Sequence, residues 1–360
     1  MRSILLNPGP VSLSERVRKA ATARDLCHRE PEFFELQDRV RERLLEVYGL
    51  AGQAWTAVLL GGSGTTALEA MVSSLLSDDS HLLVLENGVY GERLNRIAEV
   101  YGIRTTALRQ GWLDAWNMEQ IASSLTESNI THVAAVHHET TTGRLNPVDA
   151  LARVCEQQGV RLLLDTVSSF AAEAIPFDSD SLAACAVTAN KCLHGIPGSC
   201  FVVTRRSDLE SGASVPRSLT LNLKSWSEHQ DRRSTPFTPP VNSLLALDEA
   251  LDELSETGGW HSRHARYHRL ADSVARKLDE QGVTALLAPG ESSCVLRSYR
   301  IPEGMTYEQI HSALKQHGFV IYGGQGKLAS ELFRISTMGD ISDYDMGRLL
   351  TALEYVFQAR

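Results

Sequence analysis

Thr188-Ala189-Asn190-Lys191-Cys192-Leu193-His194-Gly195-Ile196-Pro197-Gly198 is the stretch on which the reading of the fold turns. Residues 182–187, just before it, are wholly apolar, the pattern of a short strand buried on both faces. That run leads to a lysine and then to a Gly/Pro-rich turn. Upstream, Val160-Arg161-Leu162-Leu163-Leu164-Asp165 is a second apolar run, and it ends in an acid. Alone, Lys191 reads as a solvated lysine after a strand, because most lysines are exposed. Two buried strand ends, one presenting a carboxylate and the other an amine, read together as the floor of a cofactor site.

Working outward, residues 57–60 form another apolar strand. It breaks into Gly61-Gly62-Ser63-Gly64-Thr65-Thr66 and continues as a helix over 67–76. Such a turn can cradle a phosphate. Glycines let backbone N–H groups approach, hydroxyls add donors, and the helix N-terminus attracts negative charge. Read alone, the turn serves equally well as a capped strand–helix junction without a ligand.

Strand and helix signals keep alternating: strands near 82–85, 104–108, 131–136 and 200–204, and helices near 33–48, 92–100, 117–125 and 147–157. Repeated strand–helix units predict an α/β fold, a mostly parallel sheet covered by helices. Residues 205–240 are polar and Pro-rich without clear periodicity, which suggests a functional or interface segment. Helices are expected at 242–256 and 260–281. A smaller α+β pattern follows, with strands near 294–299, 319–322 and 332–335 and helices near 307–317 and 343–357. The expected division is a large domain over 1–258, its N-terminal segment contributing to the active-site mouth, and a small C-terminal domain over 259–360.

The formal net charge of −9 argues against a nucleic-acid or membrane-surface partner. Six scattered cysteines without a CxxC point to free thiols in a reducing compartment. The N-terminus breaks too early at Pro8 for a secretory signal, and no apolar run approaches a membrane span, so a cytoplasmic protein is expected. His261, His264 and His268 have helical metal-ligand spacing, but Arg263, Arg266 and Arg269 interleave with them. A solvated helix face is the preferred reading, and no metal is expected. His137-His138 reads as strand-end packing.

A phosphate cradle at Ser63-Gly64-Thr65, an acid at Asp165 and a lysine at Lys191 each follow an apolar strand. Ligands of parallel α/β sheets bind at the carboxyl ends of the strands, so the three should face one crevice. Pyridoxal phosphate requires this set: a lysine for its aldehyde and a carboxylate for its ring nitrogen.

On these residues, and on Leu6-Asn7-Pro8-Gly9-Pro10-Val11, Asn87-Gly88-Val89-Tyr90-Gly91-Glu92-Arg93, Glu139-Thr140-Thr141-Thr142-Gly143 and Phe333-Arg334-Ile335-Ser336, the whole chain resembles the class V, fold-type I pyridoxal-phosphate-dependent aminotransferases. Asn190-Lys191-Cys192-Leu193 with Gly195, Pro197 and Gly198, and Asp25-Leu26-Cys27-His28-Arg29-Glu30-Pro31-Glu32-Phe33, resemble the branch that acts on 2-aminoethylphosphonate and pyruvate. The resemblance implies that Lys191 takes the aldehyde and shuttles the proton, while Asp165 keeps the ring nitrogen protonated. Val167 and Tyr90 would flank the ring and Thr140 would bond its hydroxyl. Ser63, Gly64, Thr65 and Asn190 would hold the phosphate. Thr238 would reach the phosphate of a neighbouring subunit, which implies a homodimer with shared sites. Arg334 is the expected substrate-anion binder. His28 and Arg29 are candidate extra donors, against an exposed loop as the alternative, and Lys327 on its glycine loop is a weaker one.

Other readings stay open on the same residues. They are an alanine/serine–glyoxylate or other amino-phosphonate transaminase, a pyridoxal-phosphate-dependent lyase, and a non-enzymatic anion binder. Asn190, standing where a desulfurase is expected to carry a histidine, counts against desulfurase chemistry.

Overall fold

A computed structural model describes residues 3–50, 54–127, 129–213 and 215–358. Seven strands form the main sheet, in the spatial order Trp55–Gly62, Gly198–Arg205, Leu182–Thr188, Arg161–Asp165, His132–Val136, His81–Glu86, Arg104–Arg109. Gly198–Arg205 runs antiparallel to both neighbours, and the other adjacent pairs are parallel. The fold-type I expectation of a mostly parallel sheet is met.

Alternate side chains feed two cores, as the two-residue period of a strand requires. Leu83, Leu85, Val133, Ala135, Leu162 and Leu164 join the core under the Pro31–Glu46, Val148–Gln157 and Val241–Glu256 helices. Leu82, Val84, Ala134, Val136 and Leu163 join the core under the Gly64–Leu75 and Val89–Val100 helices. Pairing aligns Val136 with Asp165 and Asp165 with Ala186, so the carboxyl ends of the central strands lie level.

The 22-residue helix Gly259–Glu280 leads to a three-stranded antiparallel sheet, Leu296–Arg300, Leu332–Ser336 and Tyr322–Gly323, packed with the helices Tyr307–Gln316 and Asp343–Gln358. The strand Ile4–Leu5 pairs with Phe319–Val320, and Ile4 and Leu6 are buried in this third core. The N-terminal segment therefore packs with residues near the other end of the chain. The single strand expected near 319–322 is two pieces, Phe319–Val320 and Tyr322–Gly323, on different partners.

Residues 205–240 are more ordered than their sequence suggests. They contain the helices Arg206–Ser211 and Leu223–Asp231, the second capped by the Asn222 side chain accepting from Ser225 N. Gln230 explains why periodicity missed the second helix. Its buried side chain accepts from Leu59 N and donates to Leu59 O, closing the edge strand of the sheet with polar contacts. No helix among the described residues is long and apolar enough to cross a membrane.

Candidate active site

Asp165 ends its strand buried, with Oδ1 accepting from Val167 N at 2.9 Å. Burial pushes its carboxyl up to about 6. Oδ2 has no hydrogen-bond partner among the described residues, and the carboxylate has no ion-pair partner among them. A buried acid left in this state is poised for a cationic partner.

Lys191 lies three residues beyond the Leu182–Thr188 strand. Its Nζ donates to the Pro8 carbonyl. Burial lowers its ammonium to about 8, partly opposed by the nearby Asp165 charge. Gly9, at φ +103°, makes room for it: a Cβ there would stand 2.6 Å from Lys191 Cδ. Asn190 Oδ1 accepts from Thr188 Oγ1 at 2.7 Å, which fixes the turn that carries the lysine.

The Gly64–Leu75 helix starts beside these groups. A Cβ on Gly64 would lie 2.7 Å from Val167 Cγ1, so only glycine lets the helix N-terminus approach this closely. Ser63 N donates to Thr66 Oγ1 at 3.1 Å, and Thr65 Oγ1 accepts from Arg93 Nη1 at 3.3 Å. Arg93 in turn sits 4.7 Å above the Tyr90 ring and has no ion-pair partner among the described residues. An unpaired guanidinium beside a helix N-terminus is a site for an anion.

Thr140 is buried, and its carbonyl accepts from Arg334 Nη1 at 2.8 Å. Arg334 is 1% exposed. Its Nε donates to Gly323 O, and Nη1 also donates to Gln325 Oε1. Nη2 has no partner among the described residues. Glu139 is fully buried, accepting from Tyr90 N and Gly91 N on Oε2 and from Thr141 N on Oε1. Burial nevertheless pushes its carboxyl up to about 7.

The chain thus brings Ser63, Gly64, Thr65, Tyr90, Thr140, Asp165, Val167, Asn190, Lys191 and Arg334 to one group. It does not bring all the expected residues there. His28 is half-buried and Arg29 exposed, and neither has a hydrogen bond or ion pair among the described residues. Thr238 is exposed. Lys327 lies 4.4 Å from the Trp112 ring, and Gln325 is the side chain of that loop that meets Arg334. A cavity of about 570 Å³ lined by His194, Arg263 and Tyr267 includes neither Lys191 nor Asp165, so the chemistry and not the cavity marks the site.

Sequence reasoning passed over Arg93 and Glu139. The only available signal was their place within the quoted motifs, since a charge on a helix and an acid after a strand are otherwise unremarked.

Burial pushes His137 and His138 down to about 4, so both are neutral packing residues. His264 departs from the expected solvated face: it is turned inward and reaches Ala172 O and Glu173. His261 and His268 are exposed.

The aminotransferase class-V family profile matches residues 15–334, through Arg334. The chain is a class-V aminotransferase. It is 37% identical to the 2-aminoethylphosphonate–pyruvate transaminase of Vibrio cholerae, over 98% of this chain and 97% of that one. Against the enzyme of the same name from Syntrophobacter fumaroxidans it is 38% identical, over 97% and 95%. Among solved structures, an aspartate aminotransferase of subgroup IV from Thermus thermophilus superposes with a TM-score of 0.91, at 28% identity, covering 99% of each chain. These likenesses carry the fold-type I architecture and the transfer of an amino group to this chain.

Proposed function

We propose that this aminotransferase uses pyridoxal phosphate to interconvert 2-aminoethylphosphonate and pyruvate with phosphonoacetaldehyde and alanine. The observation that carries the reading is the convergence of Lys191, Asp165 and the Gly64 helix N-terminus, in a chain so similar to transaminases of that name. The residues fit the cofactor: an amine lowered to about 8, a buried acid with an open oxygen, and a helix N-terminus that Gly64 lets come close against Val167. When bound, the cofactor supplies an aldehyde and an electron-withdrawing ring that accepts the electrons of a broken C–H bond.

This chain's residues do the rest. Lys191 Nζ would hold the cofactor through its aldehyde carbon and, once freed by the substrate amine, would carry the proton from the amine-bearing carbon of the substrate to that aldehyde carbon. Asp165 stays charged against the protonated ring nitrogen, and Val167 and Tyr90 confine the ring. Thr140 donates to the ring hydroxyl. Ser63, Gly64, Thr65 and Asn190 hold the phosphate. Arg334 Nη2 is the open donor for the substrate anion, with Nε and Nη1 braced by backbone carbonyls and Gln325. His28 and Arg29 add donors for the tetrahedral phosphonate, and Thr238 serves the neighbouring subunit of a cytoplasmic homodimer. The large domain ends near residue 258.

Rapid mixing of the pyridoxal-phosphate-loaded enzyme with 2-aminoethylphosphonate tests this. The expected result is conversion of the cofactor's absorbance to its amine form, followed by alanine production once pyruvate is added. Conversion by alanine or serine but not by the phosphonate, with glyoxylate as the better acceptor, would sink the assignment.

A further inference from the structure

Three side chains that the proposed chemistry does not use meet beside the Gly259–Glu280 helix. Glu173 follows the Arg161–Asp165 strand, His264 is on the helix, and Cys294 precedes the Leu296–Arg300 strand. One donor atom from each lies within 4.8 Å of the other two. His264 Nδ1 is 3.2 Å from Glu173 Oε2 and 3.5 Å from Cys294 Sγ. It is also 2.8 Å from the Ala172 carbonyl. One ring nitrogen, carrying at most one hydrogen, therefore faces three electron-rich atoms. Nδ1 can donate to only one of them, and the Cys294 thiol supplies the cluster's second hydrogen, 3.7 Å from the Ala172 carbonyl.

The two oxygens of Glu173 have different partners. Oε1 accepts from Ser293 Oγ at 2.5 Å and from Cys294 N at 2.9 Å. Oε2 faces His264 Nδ1 at 3.2 Å. Outer hydrogen bonds that aim one carboxylate oxygen are the usual support of a metal ligand. Tetrahedral zinc bonds of about 2.0–2.3 Å set neighbouring donors roughly 3.2–3.7 Å apart, and the two measured separations fall in that range. One thiolate and one carboxylate also neutralise a divalent ion, as a largely buried site requires. Sulfur and imidazole donors select zinc, cobalt or nickel over magnesium or calcium.

We propose that Glu173 Oε2, His264 Nδ1 and Cys294 Sγ form a binding site for a zinc-class divalent ion, with water in the fourth position. The His264 side chain is 39% exposed and gives the ion its entry. On binding, the Cys294 thiol proton leaves to solvent and the imidazole hydrogen sits on Nε2. The ligands come from the large sheet's flank, the connecting helix and the entry to the small sheet, so the ion clamps the two units together.

The test uses tag-free, cofactor-loaded enzyme carrying Cys27→Ser, because exposed Cys27 beside His28 is itself a metal trap. The protein is equilibrated with micromolar zinc, gel-filtered and analysed for metal. About one retained zinc per chain is expected, falling at least tenfold when Cys294→Ser or His264→Gln is added. Cobalt should give the visible bands of a tetrahedral thiolate complex, lost in the same variants. Zinc should raise the melting temperature of the Cys27→Ser enzyme and not that of the His264→Gln enzyme. His264→Gln keeps a partly exposed helix position, so it remains informative where Cys294→Ser does not fold. Failure of the Cys27→Ser enzyme to retain zinc, or retention unchanged by both variants, overturns the site and leaves a hydrogen-bonded buckle.

Discussion

Replacing Gly9 by alanine tests how the lysine is held. The residue sits at φ +103°, and the new Cβ would stand 2.6 Å from Lys191 Cδ, 2.8 Å from Cε and 2.9 Å from Nζ. Comfortable carbon contacts lie at about 3.5–4.0 Å, so the lysine chain must move by roughly 1 Å. Misplacing a reacting group by that much costs on the order of 100-fold in rate, about 2.7 kcal/mol of barrier. The forced backbone costs a further ~1–3 kcal/mol of stability. Gly102→Ala is the control: φ is +64° there, but nothing lies within 4 Å of the new Cβ. It should lose stability and keep its rate. Alanine production from 2-aminoethylphosphonate and pyruvate, with a thermal melt of each variant, separates the two effects. A folded Gly9→Ala enzyme with kcat within about twofold of the parent would refute the argument that this glycine positions Lys191.

Asp165→Asn should abolish most transamination yet stabilise the cofactor-free protein at neutral pH. The folded pKa, about 6, lies above the ordinary 3.8, so the folded protein binds more protons between those values. Its stability therefore falls as pH rises through that window, and the penalty persists above it. Removing the charge should return on the order of 1–3 kcal/mol, read by urea denaturation at pH 7.5 and absent at pH 4. The Lys191 amine, lowered to about 8, should make the rate of cofactor uptake by apoenzyme rise with pH through about 8; a midpoint near 10 would contradict its burial. Arg334→Lys keeps the charge but loses the fork that binds Gly323 O, Thr140 O and Gln325, so KM for the phosphonate should rise ~10–100-fold with a smaller change in kcat. Equal KM in the two enzymes would remove Arg334 from the substrate site.

Much of the scaffold is legible along the chain because buried strands and their helices are local patterns. The apolar runs at 160–165 and 182–187 and the glycine turn at 61–66 are such patterns, and motif likeness adds the class-V family. Other features are not local. The Leu223–Asp231 helix owes its place to the Gln230 side chain bonding an edge strand, a contact no periodicity encodes. Ile4 and Leu6 belong to a core formed near the other end of the chain. Arg93 acquires meaning only where Thr65 and Tyr90 stand beside it, and Gln325 only through Arg334. His264 reads as a surface residue from its arginine neighbours, but the packing of the helix beside Glu173 and Cys294 brings its ring within reach of both. By itself the sequence determined the strand ends that carry Asp165 and Lys191, because residue type and period are written along the chain. Only the tertiary structure decided what surrounds Lys191: the Pro8 carbonyl, the room at Gly9 and the braced Arg334. Those partners lie far apart in sequence, and packing alone brings them within reach.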